Sequence, residues 1–379
     1  MEELQIIVNP QAGRGHAGRI ISDLARELCA LGVPYTLHLT ERPGHAIELA
    51  ESLVAAGYRR LASVGGDGTA HEVINGLMAA QRPGEPVELS CVPAGSGNDF
   101  ALMNGLSPEL TEACRTIAAG HSRLIDLGHV TIDGRIARYF DNTVGIGFDG
   151  LVCQETRRNK HARGLALYIP AVLKTILVTL QFAPSTLTVD GTTTQIAPMM
   201  VTICNGPREG GGFMLAPEAK FDDGQLDLVV TGQLNRLQML ALVPRFLKGT
   251  HLSHPAVSAC SMQSFSMSSA DPLYAHVDGE ILAEEAHHIA IHVVPQSLRL
   301  VTPAYAEARR TRQRPRRDAR LSPLTHIEAD GSLSLAPRQL IISGQWSLEP
   351  HDTGIAYRRP TSTSWRTRTA DRRAWQALL

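Results

Sequence analysis

The chain has 379 residues, 43% hydrophobic and 19% charged, with a formal net charge of −1. That length exceeds one typical core and predicts two domains plus an extension. From Ala304 onward there are fourteen Arg against seven Asp or Glu, so the preceding body is acidic, which argues against a nucleic-acid protein with a basic core.

The first 125 residues alternate strand and helix signals. Leu4 to Val8 reads as a strand that ends in a turn, Asn9 to Gly15. Ala17 to Leu31 carries apolar residues at helical spacing (Ile20, Ile21, Leu24, Leu28, Leu31). Tyr35 to Leu39 is a second strand ending at Thr40, His45 to Ala56 a helix, and Arg60 to Val64 a third strand. After GGDGT come a helix at Glu72 to Ala80, a strand at Glu88 to Val92 and PAGSGND. Strand, glycine turn and helix in repetition predict a parallel sheet wound with helices.

After Asp126 short β-rich runs take over, at Ala137 to Asn142, Leu187 to Val189, Met199 to Asn205, Leu226 to Thr231 and His288 to Val294. Turn dipeptides such as Asp133-Gly134, Asp190-Gly191 and Asp223-Gly224 separate them, predicting a mostly antiparallel β domain. Helices are expected near Leu165 to Leu180 and Leu237 to Leu247. The expected division is 1–125, 126–305, and a basic, disordered tail at 306–379 suited to anionic headgroups. Within that tail Gln339 to Ser343 could form a strand.

The composition excludes several chemistries. Only Lys160, Lys174, Lys220 and Lys248 are lysines, and no glycine-rich loop ends in Lys-Ser or Lys-Thr, so a Walker-type phosphate loop is absent. The six cysteines form no CxxC pair and read as reduced, mostly buried thiols. There is no HExxH, and His287 and His288 cannot share one strand face, which argues against a histidine metal centre. MEELQIIVNP is not a signal peptide. Gly164 to Ala183 is apolar but interrupted by Pro170 and Lys174, which favours a buried or interfacial helix over a membrane span.

Three glycine turns carry the chemistry: Asn9-Pro10 with Gly13, Gly65-Gly66-Asp67-Gly68-Thr69, and Gly95-Ser96-Gly97-Asn98-Asp99. Each follows a strand, at the edge where open α/β sheets bind ligands. Glycine lets backbone N–H groups approach phosphate, and the next helix offers its positive end. One such turn means little; three in register predict an anion site.

At this point the sequence resembles the bacterial diacylglycerol kinase-like lipid kinases, which share a catalytic domain with sphingosine and ceramide kinases. The matching segments are IIVNPQAGRG, SVGGDGTAHEVINGL, VPAGSGNDFA, DNTVGIGFDG, APEAKFDDGQLDLVV and VDGE, in family order. The resemblance implies a phosphofructokinase-like nucleotide domain, a β-sandwich-like C-terminal domain and an ATP site between them. Carried over, the nucleotide contacts are Asn9, Pro10, Gln11, Ala12 and Gly13, then Thr40, then Gly65, Gly66, Asp67, Gly68, Thr69, Ala70 and His71, and Ser96. Two departures stand out. Ala12 replaces the serine of NPxSG and weakens the ATP site, whereas Ser96 replaces the usual threonine and keeps its hydroxyl.

The resemblance makes Glu280, in the late DGE motif, the general base, with Asp67 as its rival and as a candidate ligand of catalytic Mg2+. It also implies a structural Mg2+ held by Asp223 and the backbone carbonyls of Lys220 and Gln225, an oxygen-only set that suits the ion; a plain hairpin turn is the alternative. By the same resemblance the acceptor is expected to be a lipid alcohol, first of all diacylglycerol, with a sphingoid base or glycolipid also compatible. Its wall is expected on the helix from Gly164 to Gln181 (Leu165, Leu167, Tyr168, Val172, Leu173, Ile176), residues equally explained as core. The expected setting is cytoplasmic, with peripheral contact at the inner face of the membrane and a homodimer left open. NAD kinases also carry GGDGT, but no Asn-Glu pair occurs anywhere in the chain. A non-catalytic lipid-binding regulator would be expected to lose Asp67, Asn98, Asp99, Asp223 and Glu280, all of which are present.

Overall fold

The computed structural model describes residues 2–82, 84–157, 165–179 and 181–304, and short segments at 325–327, 333–335, 347–351, 354–358 and 366–367. Met1–Leu335 make one compact unit and Ala336–Leu379 another.

Four parallel strands lie side by side in the first unit, in the order Tyr35–Leu39, Leu4–Val8, Arg60–Gly65, Glu88–Pro93. Leu4–Val8 is buried along its whole length because helices cover both faces of this layer. Its period of two divides the core. Leu4, Ile6 and Val8 pack with Leu24, Leu28 and Ile117, whereas Ile7 packs with Val73, Ile74 and Leu77 on the opposite face. Truncating any of these to Ala costs about 2–5 kcal/mol.

The antiparallel part joins this layer through one strand, Glu280–Val301, of 22 residues. It pairs antiparallel with Ser264–Val277 and Ser122–Ile132, and at Arg299 and Leu300 it pairs parallel with Glu88 and Leu89. A single strand thus carries the DGE turn at one end and the nucleotide sheet at the other. The β core gathers Val130, Phe140, Ile146, Ile203, Leu228, Met267 and Ile289. Outside it, helices Phe148–Arg157, Leu165–Val178 and Arg236–Lys248 bury Val152, Val172, Ile176, Met239 and Phe246 against the sheet. The last helix is set by an Asn235/Gln238 capping box and by left-handed Gly249 at its end.

The expected strands at Leu4–Val8, Tyr35–Leu39 and Leu226–Thr231 are found with those bounds. Three expectations are corrected. The helix read from Ala17 to Leu31 is two, Ala12–Arg19 and Ile21–Ala30, and the first is kinked by positive φ at Gly13, Arg14 and Gly15. The helix read from Glu72 begins at Asp67, since only Gly66 is extended and Asp67 already lies in the first turn. The run His288–Val294 is the middle of the long strand, whose ends are masked in sequence by polar residues. Strand Ser122–Ile132 runs across residue 125, where composition changes.

In the tail, 325–327 pairs with 333–335, and in the second unit 347–351, 354–358 and 366–367 form a three-stranded antiparallel sheet. Gln339–Ser343 and the rest of 306–379 lie outside the described residues. All six cysteines are free, and only Cys29 is exposed. Among the described residues no helix is long and apolar enough to cross a membrane.

Candidate active site

The three glycine turns meet at the carboxyl edge of the parallel layer. Asn9 staples the first to the second: its amide Nδ2 donates to Thr69 Oγ1 at 3.2 Å and its Oδ1 accepts from Gln11 N at 3.1 Å. The second and third turns touch backbone to backbone. A Cβ added at Gly95 would stand 2.3 Å from Gly66 Cα, so no larger residue fits there. Gly13, at φ +60, faces the carbonyl of Ala94, which would lie 2.2 Å from an added Cβ.

These contacts enclose a cleft of about 570 Å³ lined by Asn9, Gln11, Ala12, Gly13, Thr40, Gly66, Gly68, Thr69, Ser96 and, from the β part, Glu280; Glu41, Arg42, Pro43, Ala46, Glu72 and Gly95 complete it. Helix Asp67–Ala80 points its N-terminus at this space, where free N–H groups and the helix dipole favour anions. Of the expected nucleotide contacts, Pro10, Gly65, Asp67, Ala70 and His71 are not among the residues that line it. His71 turns away because its Nδ1–H donates to Asp278 Oδ2 at 2.7 Å, with both side chains buried.

Asp67 also differs from a simple wall residue. Its Oδ1 accepts from Phe100 N at 3.2 Å, tying the GGDGT turn to the GSGND turn. Burial and then neighbouring Asp99 push its carboxyl up to about 6, against the backbone N–H groups that favour the charged form. Asp99 is held in turn by Arg208 Nε at 2.6 Å and Gly211 N at 2.7 Å. Glu280 stands across the cleft, with Oε1 closest to the position a side chain would take on Gly68. The two candidate bases therefore flank one helix start.

Asp278 organises the DGE turn. Besides His71 it accepts the backbone N–H of Asp141, Asn142 and Thr143, at 3.0, 3.1 and 2.8 Å. One carboxylate thus fixes the GGDGT helix, the 141–143 loop and the turn that presents Glu280. Burial would lower His71, but the Asp278 carboxylate outweighs it and holds the imidazole above its ordinary value. The sequence reading missed this role: the partners lie 207 residues apart.

A second polar cluster lies behind the same turn. His276 Nε2 is 3.3 Å from Asp149 Oδ2 and its Nδ1 3.5 Å from Glu209 Oε1. His71, Asp141 and Asp278, and likewise Asp149, Glu209 and His276, are close enough to share an ion. In the second group, however, the carboxylates sit on opposite edges of the ring, where they favour its charged form, and Nδ1 also lies 3.3 Å from the backbone N of Gly279. Burial opposes that charge, yet Glu209 and Asp149 push His276 up to about 9, while burial pushes Glu209 up to about 7. Glu209 Oε2 is buried with no hydrogen-bond partner among the described residues.

Asp149 and Glu209 edge a narrow apolar recess of about 50 Å³ whose wall includes Phe148, Tyr168, Val172, Met200, Phe213 and Phe246. Of the expected acceptor wall, Tyr168 and Val172 are there, Ile176 is core, Leu173 faces outward, and the side chain of Leu165 lies outside the described residues. Arg208 and Glu209 are adjacent on one short strand, reaching to the nucleotide turn and to the DGE side respectively.

The expected structural Mg2+ turn is elsewhere. Asp223 Oδ1 accepts from Gln225 N at 3.2 Å, and Asp126 accepts the N–H groups of Gly224 and Gln296. Burial raises both Asp126 and Asp223, and Asp222 adds to each.

Comparisons with known proteins align with this layout. Residues 3–130 match the diacylglycerol kinase catalytic domain, and residues 142–302 match the YegS C-terminal NAD kinase beta sandwich-like domain. A diacylglycerol kinase of Mycobacterium tuberculosis is 28% identical over 301 residues, covering 79% of this chain and 94% of that protein. One from Staphylococcus epidermidis is 29% identical over 283 residues, covering 73% and 85%. A crystal structure of a diacylglycerol kinase from Bacillus anthracis superposes with TM-score 0.60 at 20% identity, over 80% of this chain and 97% of that one, and so shares the fold.

Proposed function

From the premise that the chain belongs to the bacterial diacylglycerol kinase-like family of lipid kinases, we propose that it transfers the γ-phosphate of ATP to the free hydroxyl of diacylglycerol, giving phosphatidic acid. The observation that carries this reading is the cleft in which three phosphate-suited glycine turns face Glu280. The helix that begins at Asp67 would hold phosphate oxygens at its N–H groups while Asn9 and Thr69 fix the turn. Phosphoryl transfer needs positioning, charge neutralisation and a proton acceptor. Glu280 is the proposed acceptor, since Asp67 is tied up by the GSGND turn.

Asp67, in the first turn of the helix, with Asn9 beside it, is the oxygen donor that would hold a Mg2+ ion at the phosphates. Bound there, the ion supplies neutralisation of the charge on the transferred group. Asp223, with the carbonyls of Lys220 and Gln225, is the candidate set for a second, structural Mg2+, oxygen donors beside Asp126 and Asp222, where Lys220 and Arg123 already supply part of the balancing positive charge. The acceptor would enter by the apolar recess, which is too small for an acyl chain until the helix Leu165–Val178 gives way.

The test is transfer of labelled γ-phosphate from Mg-ATP to diacylglycerol, a monoacylglycerol, a sphingoid base and NAD in mixed micelles. Label chiefly in diacylglycerol supports the reading. Label chiefly in another lipid replaces the acceptor, and label in NAD overturns the lipid assignment.

A further inference from the structure

We propose that Glu209 is the donor that reads an ester carbonyl of the acceptor, which makes the site selective for acylated glycerol lipids over ether-linked lipids and sphingoid bases. The inference deepens the lipid-acceptor reading and rests on it for the class of ligand. Glu209 is 9% exposed and lines the apolar recess beside Asp149, Tyr168 and Gly210. Its Oε1 faces His276 Nδ1 at 3.5 Å, while its Oε2 is buried with no hydrogen-bond partner among the described residues. A buried polar atom left unpaired costs stability, and at the wall of a recess a ligand can supply the partner it lacks.

Charge decides what kind of partner that is. Glu209 and Asp149 flank one imidazole, His276, and Glu209 is the more deeply buried of the two carboxylates. Burial, with Asp149 and Asp278 adding to it, favours the neutral form of Glu209, whereas His276 and the Thr143 hydroxyl favour the charged one. Thr143 Oγ1 is itself buried without a partner, so the two do not satisfy each other. Arg208, on the same short strand, is turned to Asp99 and brings no cation here. Protonated Glu209 therefore leaves His276 and Asp149 balanced and carries an O–H that no described residue takes up. Such a donor pairs with an acceptor oxygen. Diacylglycerol offers ester carbonyls beside its free hydroxyl. An ether-linked glycerol lipid keeps the hydroxyl and the chains but has no carbonyl, and a sphingoid base sets an ammonium, itself a donor, where the ester would be.

Position agrees with this role. Tyr168, which lines the recess, sets its hydroxyl 3.7 Å from where a side chain on Gly279 would begin, and Gly279 adjoins Glu280. The recess therefore leads to the DGE turn. A lipid whose free hydroxyl lies at Glu280 has its nearest ester a few bonds back, toward the recess that would take its chains. The strand that carries Glu209 is pinned on both sides: Asn142 Nδ2 donates to Arg208 O at 2.7 Å, and Gly212 N donates to Glu209 O at 3.3 Å. A carboxyl held in this way keeps its place when helix Leu165–Val178 gives way to admit an acyl chain.

The experiment compares dioctanoylglycerol with its dioctyl ether analogue on the full chain, by phosphorylation from Mg-ATP and, separately, by calorimetric titration of lipid binding without nucleotide. Wild type should prefer the ester by about tenfold in both readouts, the worth of a hydrogen bond to a buried donor that is otherwise stranded. Glu209→Ala should erase the preference, and Glu209→Gln, whose amide still donates, should keep most of it. Each variant is scored by a ratio within itself, so a partial loss of stability does not move the result; should Glu209→Ala not fold, Glu209→Met, of similar length and without a donor, is read the same way. A preference that survives Glu209→Ala, or that is lost in Tyr168→Phe instead, would overturn the proposal. So would a wild type that binds neither lipid, or that takes the ether or a sphingoid base as readily as the ester; if it still phosphorylates diacylglycerol, the kinase reading stands. A Glu209-dependent ester preference in binding, in a protein that phosphorylates no lipid, would keep the proposal and count against the kinase reading alone.

Discussion

Asp278 is the residue whose removal should do the most damage for its size. Its carboxylate, 2% exposed, accepts one imidazole and three backbone N–H groups. Asp278→Ala strands all four donors; at about 1–3 kcal/mol for each, the loss is about 4–12 kcal/mol, comparable to a typical domain's whole 5–15 kcal/mol. That variant should not fold. Asp278→Asn keeps one acceptor oxygen and breaks the buried charge pair, at about 3–5 kcal/mol. Its signature is pH dependence. His71 is held above its ordinary value by Asp278 despite burial. A histidine raised on folding stabilises fully below its unfolded pKa of about 6.5, and the contribution is lost as pH rises through the folded value. The gap in urea midpoint between wild type and Asp278→Asn should therefore be widest near pH 6 and narrow toward pH 9. A gap that is flat across that range, or absent, would refute the ion-pair account of the latch.

Asp67→Asn should separate stability from activity. Folding raises this carboxyl to about 6, so ionisation costs stability as pH climbs from the unfolded value of about 3.9 through 6; without metal, the variant should melt above wild type at pH 8, with the advantage shrinking toward pH 5, while losing transfer activity. Calorimetry at the two pH values checks it, and a wild-type advantage at pH 8 would contradict it. Gly13→Ala must place a Cβ at 2.2 Å from the Ala94 carbonyl in a left-handed conformation; ATP affinity by calorimetric titration should fall at least tenfold, and unchanged affinity would detach this turn from the nucleotide site.

Local patterns made the scaffold readable. Leu4–Val8 and Tyr35–Leu39 are short apolar runs bounded by turn residues, and the glycine turns name the ligand edge because backbone approach requires glycine there. What escaped is what depends on distance along the chain. The long strand Glu280–Val301 looked like a seven-residue run because Glu284, Glu285, His287 and His288 interrupt its apolar signal, although they are exposed positions on a twisting strand. The His71–Asp278, Asp99–Arg208 and Glu209–His276–Asp149 contacts join residues 67 to 207 positions apart. Buried polar pairs have no period, so nothing in the sequence singles them out. The glutamate of VDGE was legible through resemblance, and the aspartate beside it only through its four hydrogen bonds.

The central claim is that Glu280 accepts the alcohol proton in a cleft whose ATP-holding turns do not need it. Glu280→Gln measured side by side for ATP affinity and for lipid phosphorylation tests it most directly. The account predicts ATP affinity within about twofold of wild type and a rate lower by about 10²–10⁴-fold. Near-normal phosphorylation by that variant, or loss of ATP binding with it, would contradict the assignment.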